Sequence, residues 1–317
     1  MKYLVFLFLL FSASVFANKI DSLQSDSDVY KFLVGIDSTY KGVNVNAYDY
    51  IYDDSAKRRI ADSLHVKTWQ KADFNNDGQT GLLFMGGKGY ITAIVCDKGG
   101  YHSYDLTIMH YRPTLFPIIK NEGHQTTILI YFKDLPVIMN NEEVYEGPIN
   151  SYFSGGGPNS IGCTKLIYKF NNFIELNDIP VKHNIKQITF TSGAAFSSTR
   201  IFEMNIDSNR RTFYCHKKYG EKPEIGKTIV DTSSFNRIIG MLNYLDFPSL
   251  NSQYSEGPVT DLPTANLTIL YDNGLVKKIS DYGDCGTYGL SALYDELFGL
   301  VDTQKWKKIH KWPFNKT

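Results

Sequence analysis

Strand-like segments separated by turn residues recur along most of this chain and constrain its fold more than any other feature. In the first half they lie at residues 81–96, 104–110, 125–132 and 161–176, where β-branched and aromatic residues are broken by Gly, Asn and Pro. The pair Asn171-Asn172, between two such runs, indicates a hairpin turn. The chain holds 22 Tyr and 20 Phe, whose flat rings pack well on a pleated surface. We therefore expect a β-rich first half.

Two short helices are expected before these strands. The first is a candidate at residues 28–34, in a polar and mixed segment. The second, at residues 53–64, is better defined, because Ile60 and Leu64 are four residues apart and the segment opens with residues that cap helices.

The second half, from about residue 184, has its own order of elements. Strand-like runs at residues 187–191 and 201–215 precede a helix at residues 233–245, where apolar residues recur at spacings of three and four. A hairpin at residues 267–279 turns through Asp-Asn-Gly, and a leucine-rich helix follows at residues 288–301. This order predicts an α+β domain in which two helices cover one side of an antiparallel sheet.

The first 17 residues have the pattern of a cleavable signal peptide. Lys2 is followed by an apolar run at residues 4–11, and Val15-Phe16-Ala17 suits a signal peptidase. The run is shorter than the roughly 20 residues that span a bilayer, and no cysteine near the cut offers a lipid attachment point. We expect an exported protein, periplasmic or extracellular, with no membrane insertion after cleavage.

Chain length favours two domains, because a typical domain has roughly 100–200 residues. We place a signal peptide at residues 1–17, a β-rich N-terminal domain at 18–183, an α+β domain at 184–308 and a tail at 309–317. The overall fold class is α+β. Lys plus Arg and Asp plus Glu are 33 each, and this balance argues against a nucleic-acid partner.

The four cysteines, Cys96, Cys163, Cys215 and Cys285, are too far apart for a CxxC motif. Export to an oxidising compartment would allow disulfides, and four cysteines allow three pairings. Buried free thiols explain the strand-like surroundings of Cys96 and Cys163 equally well. The sequence leaves both alternatives open.

Two common catalytic motifs are absent from the sequence: there is no GxSxG and no HExxH. The histidines are scattered at His65, His102, His110, His124, His183, His216 and His310. One polar, glycine-rich loop places Cys285 beside Asp281 and Asp284, but carboxylates raise the pKa of a thiol and so oppose its activation. A second glycine-rich segment, residues 154–160, lacks the helix that a phosphate loop requires. We predict no catalytic residue and no bound organic cofactor.

One segment of the first half is similar to the Asp-Phe-Asn-x-Asp-Gly loop of FG-GAP and VCBS repeat proteins. It spans residues 69–84, and its candidate calcium ligands are Asp73, Asn75, Asp77 and Gln79. The ninth loop position, normally Asp in those proteins, is Gly81. The resemblance therefore implies at most a weak calcium site, and an Asx-rich turn without metal is the favoured alternative. A single copy of the loop also excludes a propeller of such repeats.

Several motifs in the second half resemble one family. They are Asp261-Leu262-Pro263-Thr264, the Asp272-Asn273-Gly274 turn, Asp281-Tyr282-Gly283 with Gly286, and the leucine-rich helix followed by Trp306. Over about residues 185–308 the chain is similar to the DUF6438 family of exported proteins from Bacteroidetes-type bacteria. Ala195 and Thr199 stand where that family carries a pair of cysteines. The resemblance implies an α+β fold and brings no known activity.

These observations favour a non-enzymatic binding or scaffolding protein of the cell envelope. Its partner would be an envelope protein or a glycan, and the abundant aromatic residues would suit a binding face for sugar or peptide. The alternative is an envelope hydrolase whose catalytic site is assembled between the two domains.

Overall fold

A computed structural model describes most of the chain outside the leader. The described residues are 18–45, 55–86, 89–97, 99–107, 114–123, 125–133, 137–139, 142–144, 162–193, 201–217, 222–255 and 261–314. The predicted leader at residues 1–17 and the glycine-rich segment at residues 154–160 lie outside this set.

Helices and strands occur in separate runs, as in an α+β protein, which confirms the expected fold class. The α-helices of the described residues are α1 (Asp26–Ile36), α2 (Ser55–Ser63), α3 (Thr232–Tyr244) and α4 (Tyr288–Thr303), with short 3-10 helices at Lys19–Ser22 and Ser38–Tyr40. The strands of the first half are β1 (Trp69–Ala72), β2 (Gly81–Met85), β3 (Ile91–Asp97), β4 (Gly100–Asp105), β5 (Thr114–Glu122), β6 (Gln125–Lys133), β7 (Val137–Met139), β8 (Glu142–Val144), β9 (Gly162–Lys169) and β10 (Asn172–Glu175). Those of the second half are β11 (Ile185–Ser192), β12 (Ile201–Asp207), β13 (Arg211–Lys217), β14 (Glu224–Ile229), β15 (Gln253–Ser255), β16 (Thr264–Tyr271), β17 (Leu275–Tyr282) and β18 (Lys307–Lys308). No helix in the described part of the chain is both long enough and apolar enough to cross a membrane.

Helix α1 begins where the sequence offers a capping box. Ser25 Oγ accepts the backbone N–H of Asp28 at 3.2 Å, and the Asp28 carboxylate accepts the N–H of Ser25 at 3.0 Å. Val29, Phe32 and Leu33 then form one buried face. The predicted helix at residues 28–34 is confirmed, and the observed helix is two residues longer at each end.

Strands β1 to β4 form an antiparallel sheet in chain order, which we call the first sheet. Every residue of β2 is buried, because both faces of this sheet are covered. On one face, Leu82, Phe84 and Ile94 pack against α1 and its neighbouring segments. The opposite face, which includes Leu83, packs against a second four-stranded sheet.

The second sheet has the strand order β10-β9-β6-β5 and completes a sandwich with the first. At one edge, the Gln70 side chain donates to Pro117 O at 3.3 Å and accepts from the N–H of Ile119 at 3.4 Å. These bonds join β1 to the edge strand β5. In the interior, the hydroxyl groups of Tyr104 and Tyr168 lie 3.0 Å apart.

The second half is built on an eight-stranded sheet with the order β15-β17-β16-β11-β12-β13-β14-β18. Helices α3 and α4 pack with one face of this sheet in a shared apolar core, which includes Phe190, Leu242 and Leu293. The expected pair of helices over a sheet is confirmed. One detail differs, because β15 pairs with β17 in parallel whereas the other pairs are antiparallel.

The two halves share their cores. Successive residues of β10 point to opposite sides, so that Phe173 packs into the core of the sandwich and Ile174 into the core of the second half. In the other direction, Tyr288 at the start of α4 belongs to the core of the sandwich. The outer face of the second sheet is therefore covered at Ile167 and Ile174, where it meets the core of the second half.

Some predicted boundaries were wrong. Strand β4 ends at Asp105, short of the predicted residue 110, and residues 108–110 lie outside the described set. The hairpin turn is formed by Phe170 and Asn171, whose φ angles are 56° and 62°, and Asn172 already begins β10. Residues 201–215 form two strands rather than one, because Asp207 side-chain bonds to following N–H groups stabilise a turn there.

Candidate functional site

The candidate calcium-binding loop is stabilised by hydrogen bonds to its own carboxylates. Asp73 accepts the backbone N–H groups of Asp77 at 3.3 Å and Gly78 at 2.8 Å. Asp77 in turn accepts the N–H of Gln79 at 2.8 Å. The structure thus brings three of the four predicted ligand residues together in one turn, with carboxylate oxygens already bonded to backbone. Calcium would have to compete with these bonds.

Asn75, the fourth predicted ligand, is directed toward a neighbouring strand. Its Nδ2 donates to Cys96 O at 3.4 Å, while its buried Oδ1 has no hydrogen-bond partner among the described residues. The Cys96 thiol also donates to Gln79 Oε1 at 3.3 Å. Within the described chain, no three His, Cys, Asp or Glu side chains are arranged to hold a metal ion. Calcium binding stays a prediction.

The structure explains why the ninth loop position is glycine. A side-chain carbon at Gly81 would lie 2.5 Å from Ile94 O and 2.6 Å from the ring of Phe74. Phe74 is buried and packs edge-on against Phe173 in the sandwich core. An aspartate at this position would displace core atoms, so the missing ligand follows from packing.

The loop after β17 is organised by one buried carboxylate. Asp281 is fully buried and accepts the backbone N–H groups of Cys285 at 3.0 Å and Gly286 at 3.1 Å. A side-chain carbon at Gly286 would lie 2.5 Å from Asp281 Oδ2, so only glycine allows this close approach. Burial raises the pKa of Asp281 to about 6, although the two N–H bonds oppose that shift.

Cys285 does not have the surroundings of a nucleophile. Its side chain is buried, and its thiol donates to Tyr282 O at 3.4 Å. Tyr294 also lies in this region, and its buried hydroxyl interacts with the Asp281 carboxylate. Burial raises the pKa of Tyr294 well above its usual value, so the hydroxyl keeps its proton. The loop is a packed connection between β17 and α4.

The motifs flanking this loop bond to one another. The N–H of Leu262 donates to the Tyr282 hydroxyl at 3.2 Å, and the N–H of Gly283 donates to Pro263 O at 2.8 Å. The N–H of Gly193, at the end of β11, donates to Thr264 O at 2.8 Å. These motifs therefore close one end of the eight-stranded sheet.

Residues 186–301 match the family described as "Domain of unknown function (DUF6438)". We call this matched part of the chain the DUF6438 domain. The match confirms the family resemblance and agrees closely with the expected span of residues 185–308. No curated protein and no solved structure matches the chain.

The DUF6438 domain is joined to the sandwich through the start of α4. The Glu175 carboxylate accepts the N–H of Tyr288 at 2.6 Å and that of Gly289 at 2.9 Å, where the helix presents unpaired donors. The Tyr288 hydroxyl donates to Leu106 O at 2.9 Å in a fully buried position. A side-chain carbon at Gly289 would lie 2.0 Å from a methyl group of Leu245. At this point of the junction, where the hydrolase alternative would place its site, the described side chains of Glu175, Tyr288 and Leu245 pack closely around the start of α4.

His183 lies between two carboxylates. Its Nδ1 lies 2.9 Å from Asp272 Oδ2, and its Nε2 lies 3.9 Å from Asp246 Oδ1. The hydrogen bond from His183 is the main cause that lowers the pKa of Asp272. The ring is also packed edge-on against Phe247 and Tyr271. His183 thus fixes the segment between the sandwich and the DUF6438 domain.

His102 is paired with a carboxylate on the surface, 3.1 Å from Asp97. Among the described residues, neither His102 nor His183 has a ring hydrogen bond to a serine, threonine or cysteine. The four cysteines are all free of disulfides: Cys96 and Cys285 are buried, Cys215 is half-buried and Cys163 is exposed. The structure therefore assembles no nucleophile with a base in these places.

A cleft of about 600 Å³ opens on the first sheet beside the 3-10 helix at Ser38–Tyr40. Phe84, Thr92 and Asp105 form its floor, because the strand register places them side by side across β2, β3 and β4. Tyr40 lines one side, and Tyr90, just before β3, lines the other. The cleft combines aromatic rings with hydroxyl groups and one carboxylate.

Tyr40 is held in place on its side of the cleft. Its hydroxyl donates to Ser103 Oγ at 2.9 Å, and its ring meets the edge of Phe84 at 5.9 Å between centroids. Burial raises the pKa of Tyr40, and the nearby charge of Asp105 acts in the same direction. The Tyr40 hydroxyl is therefore a neutral donor and acceptor at ordinary pH.

Sequence reasoning did not find this cleft. The aromatic content hinted at a binding face, but the lining residues come from a 3-10 helix and three strands. Tyr40 and Ser103 are 63 positions apart in the chain, and only strand pairing brings them into contact.

Proposed function

We propose that this chain is an exported, non-enzymatic binding protein of the cell envelope. The leader pattern at residues 1–17 supports export to the periplasm or the medium. The absence of GxSxG and HExxH motifs from the sequence is consistent with binding. The partner would be a glycan or an envelope protein.

The proposal depends on a difference between two sites: polar side chains bond to the backbone at the junction of the halves, whereas in the cleft on the first sheet they are accessible. At the junction of the halves, Glu175 and Tyr288 are bonded to backbone in a packed interface. In the cleft on the first sheet, Asp105 is exposed and Thr92 and Tyr40 are half-buried. Polar groups at an open concave surface can bind a ligand, whereas those at the junction stabilise the fold.

The hydrolase alternative requires an acid, a base and a nucleophile in one cleft. His183 and Asp272 form the closest approach to such a set, but their pairing fixes a connecting segment against Phe247. We therefore favour binding, and keep hydrolysis as the outcome that would overturn it.

The test uses the chain from residue 18 to 317, which is the form expected after signal cleavage. We expect no turnover of ester, peptide or glycoside reporter substrates, together with co-sedimentation of the protein with purified envelope glycan or capture by envelope proteins. Turnover that copurifies with the protein and is lost in His183→Ala would overturn the proposal. N-terminal sequencing of the secreted protein should begin at Asn18.

A further inference from the structure

The cleft on the first sheet lies beside the 3-10 helix at Ser38–Tyr40, where the described covering residues leave part of the sheet accessible. The N-terminal segments cover Leu82 and Ile94 on this face, and the 3-10 helix ends at Tyr40. The next row of the sheet, which includes Thr92 and Asp105, is left open. The cleft therefore has a rigid floor made by paired strands, which is a preformed binding surface.

Tyr90 presents an aromatic ring at the rim of this opening. It is 45% exposed, which is unusual for a ring in a chain whose large apolar side chains are mostly buried. Its backbone is fixed, because the N–H of Gly86 donates to Tyr90 O at 2.7 Å immediately before β3. An ordered, exposed ring offers a flat apolar face with a polar tip. The C–H face of a sugar ring is complementary to such a surface.

Asp105 supplies a hydrogen-bond acceptor beside that ring. Its Oδ1 accepts the N–H of Thr107 at 2.8 Å, which orients the carboxylate at the end of β4. Among the described residues, no other hydrogen bond to this exposed carboxylate is present. A carboxylate can accept two neighbouring hydroxyl groups at once, and the Tyr40–Ser103 hydroxyl pair adds groups that both donate and accept.

Charge narrows the class of ligand. Among the described residues, those that line the cleft include one carboxylate, Asp105, and no Lys, Arg or His. A phosphate, sulfate or carboxylate ligand would therefore be repelled by Asp105. A neutral molecule rich in hydroxyl groups, with one apolar face, satisfies the ring and the polar groups together.

We infer that this cleft binds a neutral saccharide, which stacks on Tyr90 and whose hydroxyl groups donate hydrogen bonds to Asp105. The inference rests on the proposed binding function and specifies its ligand and site. Tyr40 and Ser103 position the opposite wall and contribute hydrogen bonds to the same sugar unit.

The test is calorimetric titration of residues 18–317 with neutral sugars: glucose, N-acetylglucosamine, cellobiose and chitobiose. We expect at least one to bind, and Tyr90→Ala and Asp105→Asn each to weaken that binding about tenfold or more, because each removes a contact worth about one unit of log affinity. Tyr30→Ala is the matched control, since Tyr30 is 39% exposed on α1, outside the cleft. Its affinity should equal that of the unaltered protein.

Ionic strength separates a sugar from a cationic ligand. Binding of a neutral sugar should change less than about twofold when salt is raised, because no charge pair is screened. Failure of all four sugars to bind, or equal binding by the Tyr90→Ala and Tyr30→Ala variants, would overturn the inference. In the second case the proposed binding function would stand, whereas enzymatic turnover would overturn the proposed function itself. A melting temperature unchanged in both tyrosine variants would establish that the fold is intact.

Discussion

Replacing Glu175 by Gln tests whether one carboxylate joins the two halves of the protein. Glu175 is the last residue of β10, and its two oxygens accept the first N–H groups of α4 at 2.6 and 2.9 Å. Gln keeps one acceptor but turns an amide N–H toward the other donor. The substitution therefore removes one bond and the negative charge while it preserves the size of the side chain.

The expected loss has two parts. A hydrogen bond to a charged group contributes about 1.5–3 kcal/mol to the free energy of unfolding. A negative charge at a helix N-terminus adds about 0.3–1 kcal/mol. We expect Glu175→Gln to lower the free energy of unfolding by about 2–4 kcal/mol, since the site is partly buried and the N–H left without a partner has little access to water. Because Ile174 and Tyr288 cross between the two cores, the loss should appear in one cooperative transition.

Urea unfolding followed by circular dichroism and by tryptophan fluorescence measures this loss. Glu122→Gln is the matched control: Glu122 is exposed and pairs with Lys120 on the surface, so its loss should stay below about 0.5 kcal/mol. Equal losses in the two variants would refute the role of Glu175. Separate transitions for the two probes would refute the shared core.

Three further predictions concern the loops. Burial raises the pKa of Asp281 from 3.8 to about 6, so its stabilising contribution is present below the unfolded pKa and is lost as pH rises through about 6. The free energy of unfolding should fall by about 3 kcal/mol from pH 4 to pH 7 through this group, and Asp281→Asn should remove that slope in urea titrations. Gly81→Ala should cost about 2 kcal/mol or more by urea unfolding, because the added carbon meets Ile94 O and the Phe74 ring, while Gly299→Ala in α4, with open space around it, should cost less. Millimolar calcium should leave the melting temperature unchanged, because Asp73 already binds backbone N–H groups; a clear rise abolished by Asp73→Asn would establish the calcium site.

Local signals in the sequence predicted the elements whose causes are local. Helix α4 was expected at residues 288–301 and is observed at Tyr288–Thr303, because its leucine spacing and its capping residue Thr287 lie within the segment. Strands β1 and β5 were not predicted. The first is only four residues long, and the second contains Pro117, which usually argues against a strand but is tolerated at an edge.

The cleft could not be predicted because its residues share no local pattern. Tyr90 precedes β3 and Asp105 ends β4, and the hairpin register alone places the latter beside Thr92. Gly81 is a second example. In the sequence it stands where a calcium ligand is missing, but in the structure glycine is required there because the Phe74 ring packs against it. Such constraints depend on contacts between distant segments.

The motifs that identify the DUF6438 domain are used by its fold. Asp281 clamps the loop that contains Gly286, and Pro263 accepts a bond from Gly283, so each motif residue has a structural partner. Because these residues are required by the fold, a domain of this family is recognisable in sequence although its motifs do not indicate an activity. Because the same domain also shares its core with the sandwich, it provides a rigid support for the first sheet. We therefore expect ligand binding by this chain to depend on residues of the sandwich, and substitutions in the DUF6438 motifs to lower stability before they alter affinity.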